Sequence, residues 1–314
     1  MGEFSIVATI NERGLLKSIE MSGASAIRFN SSHVSLEELQ KFISYYEDNC
    51  ALPLYIDLQG AKLRLSRSQP IMEVKAGEQV VLGCQSSQLR SIAVDPRTLS
   101  YLSPGMRVSI EDGRIELQVL KLEADFARAM VLRGGVIRPA KGMNISPHPI
   151  NQIELSSRDS DIVLATRKYG FVRYALSFVS SPSEVIELKE LSGREVASKI
   201  ERELPFSRIE EISASSDEIW FCRGDLGAQL GARGLVDFYT FFSDNLHKLY
   251  KPVLMAGEVL EHMVDTPFAT RSELCHLKDI QRRGFAGVVL SNETAYGSFP
   301  IETIKTVLEV TSDE

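Results

Sequence analysis

The stretch EVASKIERELPFSRIEEISASSDEIWFCRGDLG, residues 195–227, holds two short apolar runs, and each ends in charge. The first, 195–201, finishes on Lys199, Ile200 and Glu201; the second, 218–223, breaks at Arg223 and runs into Gly224, Asp225, Leu226 and Gly227. Apolar runs of this length suit strands covered on both faces, as in a parallel sheet. Lys199 and Glu201 stand two apart and so share one face of their strand. At Asp225 the flanking glycines let the backbone turn sharply and approach a ligand closely. The carboxylate is then free to hold a cation or a proton. Taken alone, the same residues read more readily as a β-turn with a solvated aspartate. What Asp225 keeps as company elsewhere decides between them.

Outward from this stretch the rhythm repeats. Candidate strands fall at 5–10, 24–30, 52–58, 172–178, 195–201, 218–223, 252–256 and 286–291, and helix-like segments at 35–48, 182–191, 234–250 and 300–312. The first of those helices opens on Ser35 with Glu38 three residues on, a capping box. About eight βα units in one α/β chain point to a (β/α)8 TIM barrel. Between 68 and 147 the pattern changes to period two, in IMEVKAGEQVVLG, MRVSIEDGRIELQVL and ADFARAMVLRGG, with turn signals at Ala76-Gly77, Asp112-Gly113 and Gly134-Gly135. The expected organisation is a barrel from 1–67 and 148–314 with a small all-β domain inserted at 68–147, after the third barrel strand.

Bulk properties narrow the function. The 314 residues are 44% hydrophobic and 25% charged, a globular balance. A net charge of −7 argues against nucleic acid or an anionic membrane as partner, while leaving room for a local basic pocket that takes a small anion. Cys50, Cys84, Cys222 and Cys275 form no CxxC pair, so neither a zinc site nor a disulfide framework is expected; Cys222 reads as a small core residue. No apolar stretch approaches about 20 residues, and MGEFSIVATI lacks the features of a signal peptide. A soluble protein of a reducing cytoplasm is the expectation.

In a (β/α)8 barrel the chemistry gathers at the C-terminal ends of the strands. Here the second strand ends IRFNSSH, placing Arg28, Asn30, Ser32 and His33; the third ends at Asp57, in YIDLQGAKLR; the fifth carries Lys199 and Glu201; the sixth ends at Arg223-Gly224-Asp225; the eighth ends LSNET, with Ser291 and Glu293. Glu201 and Asp225 beside Lys199 suggest a hard divalent cation with oxygen ligands, the rest of its shell coming from substrate and water. The alternative for Lys199 and Glu201 is an ion-pair ladder across neighbouring strands. A helix following Asp225 would add backbone N–H groups able to take an anion.

These segments resemble the pyruvate kinase family. IRFNSSH is similar to its R-x-N-x-S-H, DLQGAKLR to D-L-Q-G-P-K-I-R, SIEDGRIELQV to D-D-G-x-I-x-L-x-V, SKIERE to S-K-I-E-N, SSDEIWFCRGDLG to A-S-D-G-I-M-V-A-R-G-D-L-G, and LSNETAYGSFP to L-S-G-E-T-A-x-G-x-Y-P. The resemblance runs along nearly the whole chain, in order and spacing. It implies phosphoryl transfer from phosphoenolpyruvate to ADP, followed by protonation of enolpyruvate. Glu201 and Asp225 would hold Mg²⁺ or Mn²⁺, and Lys199 would neutralise charge on the phosphoryl group and the enolate oxygen. Arg28 would grip phosphoryl oxygens, the Gly224 and Asp225 N–H groups the carboxylate, and Ser291 would belong to the proton route. Asn30, Ser32 and Asp57 match a monovalent-cation site; Asn30, His33, Arg64 and Lys141 match nucleotide-phosphate contacts. The inserted domain would act as a lid.

Departures from the family pattern are equally legible. Gly257, in VLMAGEVLEHM, stands for a threonine beside the substrate's methylene end, and Glu258 for a glutamine. ATINERG lacks T-I-G-P; Ser180 and Gln229 replace an arginine and a glutamate; SELCHLKDI departs from A-E-x-S-D-V-A-N-A at His276 and Lys278. Lys62 takes a position where a lysine goes with independence from K⁺. The chain stops after the last barrel helix, so the family's C-terminal effector domain, and control through it, is not expected; a homo-oligomer through the barrel is compatible. Three functions follow: a minimal pyruvate kinase acting on phosphoenolpyruvate and ADP, a diverged enzyme turning the same Mg²⁺–enolate chemistry on another 2-oxo acid, and a non-catalytic regulatory paralogue.

Overall fold

The computed structural model describes residues 3–83, 90–111, 113–146 and 155–312. Among them, eight parallel strands close into a barrel: Ser5–Ile10, Ala26–Asn30, Leu54–Leu58, Val172–Leu176, Val196–Ile200, Glu218–Cys222, Val253–Ala256 and Gly287–Leu290, each beside its successor and the last beside the first. All eight expected strands are present within two residues of the expected bounds. Their residues are almost wholly buried, which is why they read as continuous apolar runs rather than alternating ones. The interior is filled by Val7, Ala26, Tyr55, Ala175, Ala197, Trp220, Cys222, Leu254, Ala256 and Val289. Cys222 is buried within this core, as expected of a small core residue.

The helix Leu36–Asn49 starts as its sequence dictates, with Ser35 and Glu38 forming both halves of the capping box. Helices Leu16–Met21, Ser157–Thr166, Phe206–Ser215 and Arg271–Arg282 are additional to the expected set. The segment expected as a helix over 234–250 is different in the structure. One helix, Arg223–Asp244, begins directly at the end of the sixth strand and is broken at Gly231 (φ 69°, ψ 178°). Gly224 and Asp225 therefore lie in its first turn and not in a sharp turn before it. Buried Leu226 anchors that turn, so tertiary packing overrides the poor helix propensity of the glycines.

A second compact unit comprises Ala61–Asn151 together with Gly224–Val236, the remainder of the chain forming the first. The second unit has a seven-stranded sheet in the order Leu63–Arg64, Gly142–Ser146, Arg107–Ile110, Ile115–Leu122, Phe126–Arg133, Gln79–Gly83, Arg90–Ile92. Its core is a separate apolar cluster that includes Val80, Leu82, Val108, Leu117, Val131 and Ile145. Gly77 and Gly113 have positive φ, as turns require; Asp112 and Cys84 lie outside the described residues. Gly134-Gly135 is not a turn. The chain passes from strand Phe126–Arg133 straight into Gly135–Ile137, which pairs with Met72–Val74. Glycine is needed there for closeness: a Cβ on Gly134 would sit 2.3 Å from the Val74 carbonyl oxygen.

Candidate active site

Strand periodicity builds the site. Two residues beyond the apolar filling of five successive strands, on the same inward face, come Thr9 after Val7, Arg28 after Ala26, Asp57 after Tyr55, Ser177 after Ala175 and Lys199 after Ala197. The same step on the sixth, seventh and eighth strands gives Cys222, Ala256 and Ser291. One half of the ring is hydrogen-bonding and charged; the other is small and weakly polar.

Asp57 sits at the centre of the polar half. Arg28 donates to its Oδ2 through Nε (3.0 Å) and through Nη2, while Arg28 Nη1 donates to Thr9 Oγ1 at 3.0 Å. Lys199 Nζ donates to both Asp57 oxygens (3.0 and 3.2 Å) and to Ser177 Oγ (2.8 Å), and pairs with Glu201 Oε1 at 3.0 Å. The Phe178 N–H donates to Glu201 Oε2 at 2.9 Å. Burial alone would raise the Asp57 carboxyl, but Arg28 and then Lys199 overcome it and hold the group well below the usual carboxylate range. Burial likewise opposes charge on Lys199, and Asp57 and Glu201 outweigh it, so the ammonium is held above the usual lysine range. The cluster is thus two fixed cations and two fixed anions. The Lys199–Glu201 pair, for which the sequence left an ion-pair ladder open, extends here to Asp57 and Arg28.

The loop after the third strand is locked into place. Gln59 and Gly60 N–H groups donate to Asp159 (3.1 and 3.0 Å), and a Cβ on Gly60 (φ 53°) would lie 2.1 Å from the Ser177 carbonyl oxygen. Asn30 accepts from the Ser32 N–H at 3.1 Å, capping the short turn that follows the second strand. The side chain of His33 lies outside the described residues.

Within the second unit, Asp225 is held by both oxygens. Lys62 Nζ donates to Oδ2 at 2.7 Å and Asn144 Nδ2 to Oδ1 at 3.1 Å. Asn144 is 3% exposed, and its Oδ1 is buried with no hydrogen-bond partner. An orphaned amide oxygen beside a carboxylate suits a hard cation or a water bound to one. Among the described residues no group of three or more His, Cys, Asp or Glu side chains gathers around a single point, so a divalent ion here would take most of its shell from water and substrate. Arg64 pairs in its ladder with Gly142, the residue after Lys141: Arg64 Nη1 donates to the Ala140 carbonyl at 3.2 Å, and Lys141 pairs with Glu111 at 2.9 Å.

At the mouth of the seventh strand, Gly257 and Glu258 both have positive φ, 90° and 52°. Arg223 donates to the Gly257 carbonyl through Nε (2.9 Å) and Nη2, and to the Glu258 carbonyl through Nη2 (2.9 Å); its Nη1 lies 2.7 Å from His276 Nε2. Glu293, fully buried, accepts from the N–H of Leu260 (3.0 Å) and of Ser291 (2.7 Å), tying this loop to the end of the eighth strand. Sequence reading missed Thr9, Ser177 and the Arg223–His276 pair. The two hydroxyls could have been found by counting two residues on from the interior layer; nothing local marks a pair 53 positions apart.

A sequence profile described as "Pyruvate kinase, barrel domain" matches residues 3–304. Among curated proteins, the chain is 30% identical over 328 residues to the pyruvate kinase of Buchnera aphidicola subsp. Schizaphis graminum, covering 97% of this chain and 68% of that one. It is 31% identical to that of Methylorubrum extorquens, over 96% of this chain and 66% of the other. For the Encephalitozoon cuniculi protein of the same name the figures are 30%, 98% and 74%. The chain thus spans two thirds to three quarters of the length of these relatives.

Proposed function

The chain belongs to the pyruvate kinase family, and on that premise we propose that it transfers the phosphoryl group of phosphoenolpyruvate to ADP. The observation that carries this reading is the buried Arg28–Asp57–Lys199–Glu201 cluster, with Lys199 as its central cation. Phosphoryl transfer needs positioning and fixed charge more than covalent participation. Lys199, its ammonium fixed by Asp57, Glu201 and Ser177, neutralises the phosphoryl oxygens and then the enolate oxygen released as the P–O bond breaks. Arg28, held flat by Asp57 and Thr9, turns its fork on the phosphoryl group. The Gly224 and Asp225 N–H groups, in the first turn of their helix, take the substrate carboxylate. Gly257 and Ser291 border the methylene carbon, where a proton completes pyruvate.

Glu201 and Asp225 are assigned to a divalent ion, Mg²⁺ or Mn²⁺, whose bound charge would draw electron density from the phosphoryl oxygens. Within the second unit, the Asp225 carboxylate and the orphaned Asn144 Oδ1 are oxygen donors of the kind such a hard cation takes. Asn30, His33, Arg64 and Lys141 are assigned to the nucleotide phosphates. Asn30, Ser32 and Asp57 match the ligands of a monovalent cation, and Lys62 stands at the position where a lysine goes with independence from K⁺.

A second reading, the same enolate chemistry on another 2-oxo acid, is favoured by one observation. Gly257 has φ 90°, which glycine adopts freely and a β-branched threonine does not, so the residue that the family motif carries here would be strained in this backbone. One paired experiment separates the readings: a coupled assay with phosphoenolpyruvate, ADP and Mg²⁺, beside Mg²⁺-dependent release of tritium from pyruvate. Activity in both supports pyruvate kinase, tritium release alone supports the diverged enzyme, and neither refutes both.

A further inference from the structure

All three nitrogens of the Arg223 guanidinium are committed to one task. Nε and Nη2 hold the carbonyls of Gly257 and Glu258, and Nη1 meets His276 Nε2. The two residues it holds are in left-handed backbone, one of them a glutamate, a conformation that persists in an L residue when its surroundings impose it. Arginine is always protonated and only donates. His276 must therefore accept through a neutral Nε2, with its proton on Nδ1.

We propose that Arg223, oriented by neutral His276, is the positioning residue for the Gly257–Glu258 turn, and that protonation of His276 loosens the turn. The proposal rests on the reading that this turn borders the methylene end of the substrate; the hold on the backbone does not.

The surroundings of His276 support the direction of the switch. Arg223 faces it from the start of its helix and the Tyr239 ring edge from further along the same helix, at 6.1 Å between centroids. Asp279 and Arg283 flank it on its own helix with opposite effects; Glu258 and Glu293 act on Arg223. Burial first, and then Arg223, push the imidazole below its ordinary value. It is therefore neutral at pH 7 and charges only on the acid side of about 6.5. A charged imidazole would face the guanidinium at 2.7 Å with no lone pair to offer. An aspartate, which the family motif carries at this place, would hold the same arginine by charge at every pH in this range. Histidine makes the hold conditional.

The test is amide hydrogen exchange of the peptide 255–262 between pH 5 and 8, corrected for intrinsic exchange, with kinetics on phosphoenolpyruvate and ADP in parallel. The proteins are wild type, His276→Phe, which keeps the bulk and removes the acceptor, and His276→Gln, whose amide oxygen replaces Nε2 without titrating. Wild type should be protected at pH 7 and lose protection only on acidification, on the acid side of the ordinary histidine range. The Phe variant should exchange on the order of 10-fold faster at pH 7 and lose roughly 10- to 100-fold in kcat, with KM for ADP unchanged. The Gln variant should stay protected throughout and lack the acid limb of the wild-type pH–rate profile. A Phe variant as protected as wild type, or a Gln variant with the wild-type pH dependence, overturns the proposal. Absence of turnover in all three proteins, with exchange as expected, refutes the functional reading and leaves the positioning role standing.

Discussion

Replacing Asp57 with asparagine tests whether the buried cluster is balanced charge or incidental packing. Asp57, Lys199 and Glu201 are 4%, 5% and 2% exposed, and the Arg28 side chain 14%. The four formal charges cancel; Asp57→Asn leaves a net positive charge where water cannot reach it. The new amide also turns one N–H₂ group toward either Arg28 or Lys199, donor against donor. Removing one partner from a buried ion pair costs about 3–5 kcal/mol, and the amide oxygen recovers little because it accepts from only one side. Reversible urea unfolding at pH 7 should show a loss in that range. The wild-type carboxyl has its folded pKa held below its unfolded one, so its contribution is fully present above about pH 4 and fades as pH falls below that. The gap between the two proteins should therefore narrow on acidification. A loss below about 1 kcal/mol at pH 7, the range of an exposed pair, refutes the reasoning.

Glu201→Gln or Asp225→Asn should each abolish divalent-dependent binding of oxalate, an enolate mimic, in titration calorimetry; unchanged affinity in either removes the metal assignment. Catalysis should proceed as fast in tetramethylammonium buffer as with added K⁺, because Lys62 stands at the position where a lysine goes with independence from K⁺; strong stimulation by K⁺ would count against that. Gly257→Thr should lower unfolding stability by about 1–3 kcal/mol, the cost of a β-branched residue at positive φ. An unshifted urea midpoint would show that the turn relaxes freely.

The barrel was legible because its strands are buried on both faces, so VASKI or EIWFC reads as strand without its neighbours. Charged side chains stand out inside such runs, which exposed Arg28, Asp57, Lys199 and Glu201. The helix Arg271–Arg282 was hidden by its own polarity, since little of it beyond Leu277 and Ile280 is buried. Residues 223–231 were read as a turn because glycine signals freedom locally, and only the packing of Leu226 shows that it is spent on a helix. Thr9 and Ser177 escaped notice because a hydroxyl at a strand end has several ordinary uses. The Arg223–His276 contact joins two helices far apart in the chain, and no window of sequence contains both.

The hydrogen bond from Thr9 Oγ1 to the Leu290 carbonyl, 2.7 Å long, closes the barrel between its first and eighth strands. Residues 281 positions apart have to meet before that seam exists, so during synthesis the first strand waits, one edge open, until nearly everything has been translated. The seven-stranded sheet draws all its strands from 63–146 and has no such wait. On a ribosome arrested after residue 250 the sheet should already resist protease while Ser5–Ile10 remains cleavable, a long-range closure being the slowest step of such a topology. Chaperone demand should accordingly fall on the unsealed barrel edge, and variants that weaken the seam should aggregate during synthesis more than their equilibrium stability suggests.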